Sequence, residues 1–200
     1  LREDRRHIRD YDLRNIIKKI TIPINLVIAP TKKMLKIALK YKPNYVCIVP
    51  EKRAELTTEG GLNLEKNKSF LKKMINKFKD NNIRVSLFIE PKIADITFSK
   101  ELGADCIELH TGKYCNLFNK KKNIKTEFLN LKKSAIYAKK ISLEVHVGHG
   151  LTYQSAKEVA KINAISEFNV GHFIVAESVF TGLKKVISTF IKIINKWKSL

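Results

Sequence analysis

Apolar residues along the chain gather in short runs, and between the runs they recur at helical spacing. The runs at 24–28 (INLVI), 45–49 (YVCIV), 83–89 (IRVSLFI), 106–109 (CIEL), 142–147 (SLEVHV) and 167–170 (EFNV) predict strands. Helices are predicted near 10–20, 31–41, 65–81, 92–102, 125–140, 153–162 and 182–198, with Thr31 as an N-cap and Pro91 and Gly103 marking turns. Strand alternating with helix predicts parallel strands joined by right-handed crossovers. No linker rich in Gly, Ser or Pro divides the chain, and 200 residues suit one sizeable core, so residues 1–200 are expected to form a single domain.

The parity inside the runs refines this picture. Leu143, Val145 and Val147 share one strand face, while Glu144 and His146 share the other; Ile107 and Leu109 oppose Glu108 and His110. Ser86 and Glu90 likewise oppose Val85, Leu87 and Ile89. A parallel sheet covered by helices on both faces would be apolar throughout. One polar face predicts instead the lumen of a TIM (β/α)8 barrel, open at the carboxyl ends of its strands. A doubly wound open sheet, with its polar positions at a switch point, is the alternative.

Composition adds a net charge of +20, from 39 Lys and Arg against 19 Asp and Glu. Such a balance invites a nucleic-acid partner, but the lysines are spread over the whole chain and no helix-turn-helix, zinc or aromatic RNA-binding signature accompanies them. Nucleic acid is therefore not the expected partner. The arginines differ: Arg2, Arg5, Arg6, Arg9 and Arg14 crowd the first 14 residues, where planar forks can grip phosphate or carboxylate. No run of 18 apolar residues appears and the start of the chain is charged, which predicts a cytoplasmic protein without a membrane partner. Cys47 and Cys106 lie in apolar runs and Cys115 in what reads as a polar loop; their spacing suits neither zinc nor a disulfide framework. The last segment, with Leu183, Val186, Ile187, Phe190, Ile191, Ile194 and Trp197 on one helical face, is expected to pack on the barrel wall.

Unusual residues collect after the strands: "PEKRAELTTEGG" after 45–49, "HTG" after 106–109, "GHGLTY" after 142–147 and "GH" after 167–170. Glycines let backbone N–H groups approach an anion, and an imidazole exchanges protons near neutral pH. His110, His146, His149 and His172 lack the spacing of a metal site, and none is expected.

"LREDRRHI" (1–8), "VPEKRAELTTEGGLN" (49–63), "IELHTG" (107–112), "GHGLTY" (148–153) and "NVGHFIVAE" (169–177) together resemble the pyridoxine 5'-phosphate synthase family, in order along the chain. The resemblance implies a TIM barrel assembled as a homo-octamer, and a transferase of vitamin B6 synthesis. The implied reaction condenses 1-deoxy-D-xylulose 5-phosphate with 3-amino-2-oxopropyl phosphate, with no metal or organic cofactor. It further implies Arg2, His7 and Thr57 as contacts of the sugar phosphate, His149 as proton donor, Gly150 as a contact of the aminoketone phosphate, and Gly171 and His172 as a phosphate-holding pair.

The chain departs from the family in two respects. Two strands that precede "LRED" in the family are not in this sequence, so the expected barrel lacks its first two strands. Where the family carries a catalytic glutamate after Asn-Leu, this chain has Val27 in "INLVIAP". Valine cannot move a proton, and losing a positioned base costs about 10²–10⁴ in rate. Two further readings therefore stand beside the enzyme: a phosphate-ligand-binding barrel remnant without turnover, and a basic nucleic-acid-binding protein. Glu90, Glu108 and Glu144 are candidates for a substitute base.

Overall fold

Six strands form in the computed structural model, which describes residues 1–51 and 60–198: β1 (Asn25–Ile28), β2 (Tyr45–Ile48), β3 (Arg84–Ile89), β4 (Cys106–His110), β5 (Glu144–Gly148) and β6 (Glu167–Asn169). Their hydrogen-bonded order follows the chain, β1-β2-β3-β4-β5-β6. The registers of β1 with β2, β2 with β3 and β5 with β6 are parallel. The order never reverses among the described strands, so there is no switch point and the doubly wound alternative falls.

Nine helices accompany the strands among the described residues: α1 (Asp10–Lys19), α2 (Lys32–Tyr41), α3 (Lys68–Lys79), α4 (Ile93–Leu102), α5 (Gly112–Asn119), α6 (Lys125–Lys140), α7 (Tyr153–Val159), α8 (His172–Thr181) and α9 (Leu183–Lys198). Two of them, α5 and α8, were not expected. α5 opens on a glycine and runs only 8 residues, too short for periodicity to register. It overturns the polar-loop reading of Cys115, which is 1% exposed inside it; burial pushes its thiol above the ordinary value, against hydrogen bonds to Ser155 and Thr111 that pull it down. α8 mixes its few polar residues among apolar ones without a stripe, so no amphipathic pattern announced it.

The chain divides into two compact units, Leu1–Glu108 and Leu109–Leu200. In the first, Leu26, Ile28, Val46, Ile48, Val85, Leu87 and Ile89 of the strands are buried, as are Met34, Ala38, Leu71, Met74, Phe78 and Ile96 of α2, α3 and α4. Thr31 caps α2 as expected, its hydroxyl accepting from Met34 N–H at 3.3 Å. In register across the strands lie Val27, Cys47 and Ser86, and the Cys47 thiol donates to Glu108 Oε2 at 3.3 Å. The polar face expected from parity is therefore real, and Ser86 and Glu108 are buried on it.

In the second unit, Leu131, Ala135 and Ala138 of α6 and Val145 and Val147 of β5 are buried. Tyr153, Phe173 and Phe190 bring α7, α8 and α9 together, with ring centroids 4.9–5.8 Å apart. The apolar face expected of the last helix is only partly covered: Val186 and Phe190 are buried, whereas Leu183, Ile187 and Ile191 are 40–55% exposed. No helix among the described residues is long and apolar enough to cross a membrane.

Candidate active site

In the first unit, segment 1–7 lies against the ends of β1 and β2. Leu1, Arg2, His7, Val27, Ala29 and Glu51 are among the residues lining a cavity of about 220 Å³ there. Two of the expected site residues, Arg2 and His7, are thus brought together with the position of the absent glutamate. Val27 is 42% exposed, an uncommon state for a strand valine, and an apolar group stands where a proton acceptor was expected.

Glu51 holds this segment in place. Its carboxylate, 8% exposed, accepts from the Glu3 backbone N–H at 2.9 and 3.2 Å and faces Arg2 Nε at 3.6 Å. Glu3 in turn accepts from the Thr31 hydroxyl at 2.9 Å, so the cap of α2 and the end of β2 both grip residues 2–3. The arginine cluster is divided in its duties. Arg5 donates to Asp10 at 2.6 Å and Arg6 to Asp4 at 2.8 Å, so these forks close on carboxylates of their own segment. The hydrogen bond from Arg5 holds the Asp10 carboxyl below its ordinary range, and the one from Arg6 does the same for Asp4.

Replacing Glu51 by glutamine keeps an acceptor for Glu3 but removes the charge facing Arg2. The expected result is a fall of about 1–3 kcal/mol in unfolding free energy by urea titration, the cost of withdrawing one charge from a mostly buried, charge-assisted arrangement. An unchanged midpoint would mean that segment 1–7 is held by other interactions.

The "TTEGG" stretch is described only from Gly60 onward, so Thr57 lies outside the described residues. Its end docks on β3: Gly61 N–H donates to Glu90 Oε1 at 2.9 Å and Leu62 N–H to Phe88 O at 2.8 Å. A Cβ on Gly61 would stand 2.4 Å from Glu90 N and 2.7 Å from Ile89 C, backbone atoms that cannot yield. Glu90, a candidate for the substitute base, serves here as the acceptor for that loop.

In the second unit, β5 ends at Gly148 and the chain turns through His149 and Gly150, at φ 79° and 80°. His149 is half-buried, and its ring meets that of His110 edge-on, with centroids 4.9 Å apart and planes at 62°. Thr152 then caps α7 through a reciprocal pair with Ser155. Glu144, another candidate for the substitute base, begins β5 at the other end from His149, and its Oε1 lies 3.0 Å from Nε2 of the fully buried His146. Nδ1 of His146 faces Glu167 Oε1 at 3.6 Å. Gly171 and His172 stand at the start of α8 after β6, both exposed, and the space around Gly171 is open.

Sequence reasoning did not find Glu3, Thr31 or Glu51 as the residues that hold segment 1–7. Glu51 lies within the quoted "PEKR", but nothing local marks its partner 48 residues away.

The family pattern described as "Pyridoxal phosphate biosynthesis protein PdxJ" matches residues 1–196. A "Pyridoxine 5'-phosphate synthase" of Pelagibacter ubique (strain HTCC1062) is 53% identical over 196 residues, 98% of this chain and 82% of the relative. One of Sulfurihydrogenibium sp. (strain YO3AOP1) is 50% identical over 197 residues, 97% of this chain and 80% of the relative. Among solved structures, the tryptophan synthase A-subunit of Pyrococcus furiosus superposes with a TM-score of 0.59 at 13% identity, covering 96% of this chain and 72% of that one. The Amycolatopsis orientalis BexX/CysO complex gives 0.58 at 12%, covering 100% and 79%. At such identities these structures show the fold alone, an α/β fold of parallel strands.

Proposed function

Because the chain belongs to the PdxJ family of pyridoxal phosphate biosynthesis proteins, we propose that it acts as a pyridoxine 5'-phosphate synthase, with its six strands as six of the eight in a TIM barrel. The reaction is the ring-closing condensation of 1-deoxy-D-xylulose 5-phosphate with 3-amino-2-oxopropyl phosphate, releasing phosphate and water. The observation that carries this reading is the family match over nearly the whole chain, supported by a cavity whose lining includes both Arg2 and His7.

In this reading Arg2 and His7 hold the sugar phosphate, joined by Thr57, because a guanidinium fork and an imidazole both donate to phosphate oxygens. His149 is the catalytic acid: the condensation eliminates water repeatedly, and each departing hydroxyl needs a proton delivered to its oxygen. Gly150 contacts the aminoketone phosphate through its backbone, and Gly171 with His172 holds phosphate at the start of α8. The chain's own residues supply these roles without an organic cofactor or a metal, in the cytoplasm and within a homo-octamer.

Val27 favours a second reading, in which the barrel binds phosphorylated ligands without turnover. One experiment separates the two. Calorimetry should show saturable binding of 1-deoxy-D-xylulose 5-phosphate that Arg2→Ala weakens at least about tenfold, the worth of one charge-assisted hydrogen bond. Incubation with both substrates should release pyridoxine 5'-phosphate and inorganic phosphate. Binding without product supports the second reading; neither binding nor product overturns both. Binding of nucleic acid with a steep salt dependence would instead assign the charge a function of its own.

A further inference from the structure

The residues that hold His149 come from a different motif than its own. His149 is a non-glycine residue at φ 79°, a left-handed conformation that an L-residue rarely adopts and that persists only where neighbours impose it. Those neighbours belong to the "HTG" run that ends β4 and begins α5. Thr111, 1% exposed, stands at the N-cap of α5, yet its side chain makes no capping hydrogen bond to the first turn of that helix. Its hydroxyl lies 2.7 Å from Gly148 O and 2.7 Å from His149 O, one proton shared between two successive carbonyls. Its backbone N–H adds a third hydrogen bond, to Gly148 O at 2.9 Å.

Gly112 completes the arrangement by what it lacks. A Cβ there would stand 2.5 Å from His110 Nε2 and 2.7 Å from His149 Cδ2, so the two imidazoles occupy the volume a side chain would need. The edge-on contact of the two rings follows from that shared space.

We propose that Thr111 is the positioning residue for His149: its hydroxyl clamps the carbonyls of Gly148 and His149 and imposes the left-handed turn, while Gly112 provides the seat for the imidazole. The hydroxyl is diverted from the ordinary capping duty of a threonine at this position to do so. Thr111 does not touch the reacting atoms in this assignment. It acts through the imidazole, which it presents at one orientation at the end of β5. The catalytic meaning of this rests on His149 being the proton donor, but the positioning itself is a property of the free protein and is tested there.

The variants are Thr111→Val, which keeps shape and loses the proton, Thr111→Ser, which keeps the proton, and Gly112→Ala. Two signals report on His149 in the unliganded chain: the histidine ring resonances, assigned with His149→Gln, and the rate of carbethoxylation by diethyl pyrocarbonate, followed by mass spectrometry of the peptide carrying residue 149. Losing a net hydrogen bond redistributes a two-state turn about fivefold. Thr111→Val should therefore shift the His149 resonance and change its carbethoxylation rate about fivefold, with His172 unaffected as internal reference. Thr111→Ser should restore both signals to within about twofold. Gly112→Ala should displace the His110 and His149 resonances together while the hydroxyl clamp is intact, and it tests the seat should Thr111→Val fail to fold. An unaltered His149 in Thr111→Val or Gly112→Ala would overturn the assignment. So would a Thr111→Ser protein as perturbed as Thr111→Val, or a uniform change in all histidines, which would mark a general loss of stability. None of these readings requires turnover, so failure of the synthase assignment leaves them interpretable.

Discussion

Val27→Glu is expected to raise the rate of pyridoxine 5'-phosphate formation by at least about tenfold, equivalent to roughly 1.4 kcal/mol off the barrier. Val27 lines the cavity that also carries Arg2 and His7, and it is exposed enough for a longer side chain to enter. A glutamate there would put a carboxylate beside the bound sugar phosphate, where a proton must leave carbon before water can be eliminated. The two proteins should be compared as the chain itself and again joined to the part of the Pelagibacter ubique relative that lies outside the matched region, so that the effect of the substitution is read in both settings. Equal, substantial rates with valine and glutamate would mean that another group takes the proton. Of Glu90, Glu108 and Glu144, Glu108 is then the strongest candidate, because it is buried and lies one hydrogen bond from Cys47, the register partner of Val27. Glu90 is committed to Gly61, and Glu144 lies at the far end of its strand.

His149→Gln, measured in the Val27→Glu background where turnover is highest, should lower kcat by about 10²–10⁴. Glutamine retains a donor and approximate size but cannot deliver a proton and be recharged. Binding of 1-deoxy-D-xylulose 5-phosphate should change by no more than about twofold, because the phosphate interactions assigned to Arg2 and His7 are untouched. A parallel fall in affinity would make His149 a binding group, and an unchanged kcat would place the acid elsewhere.

Much of this protein is legible in its residues. All six strands fall where the apolar runs predicted them, and parity correctly identified a polar face on β3, β4 and β5, because a strand's two faces alternate with a period of two and leave a mark in any short window. Long motifs such as "VPEKRAELTTEGGLN" and "GHGLTY" were enough to mark the family. The helices that escaped, α5 and α8, are the short one and the one without an amphipathic stripe, so neither carried the signal that identifies a helix.

What only the tertiary structure decided is how the site residues are held. In sequence, His149 between two glycines reads as a histidine on a loose loop. In the fold that loop is clamped by Thr111, 38 residues away, and the histidine itself takes the left-handed turn. The early arginines read as forks for phosphate or carboxylate, and only the fold shows that Arg5 and Arg6 close on the carboxylates of Asp10 and Asp4, while Glu51 faces Arg2 and anchors the segment from 48 residues away. A hydrogen bond between distant residues imposes no periodicity and no composition on either one. It exists because the parallel sheet brings consecutive strand ends side by side, and that adjacency is created by folding rather than written in any local stretch of chain.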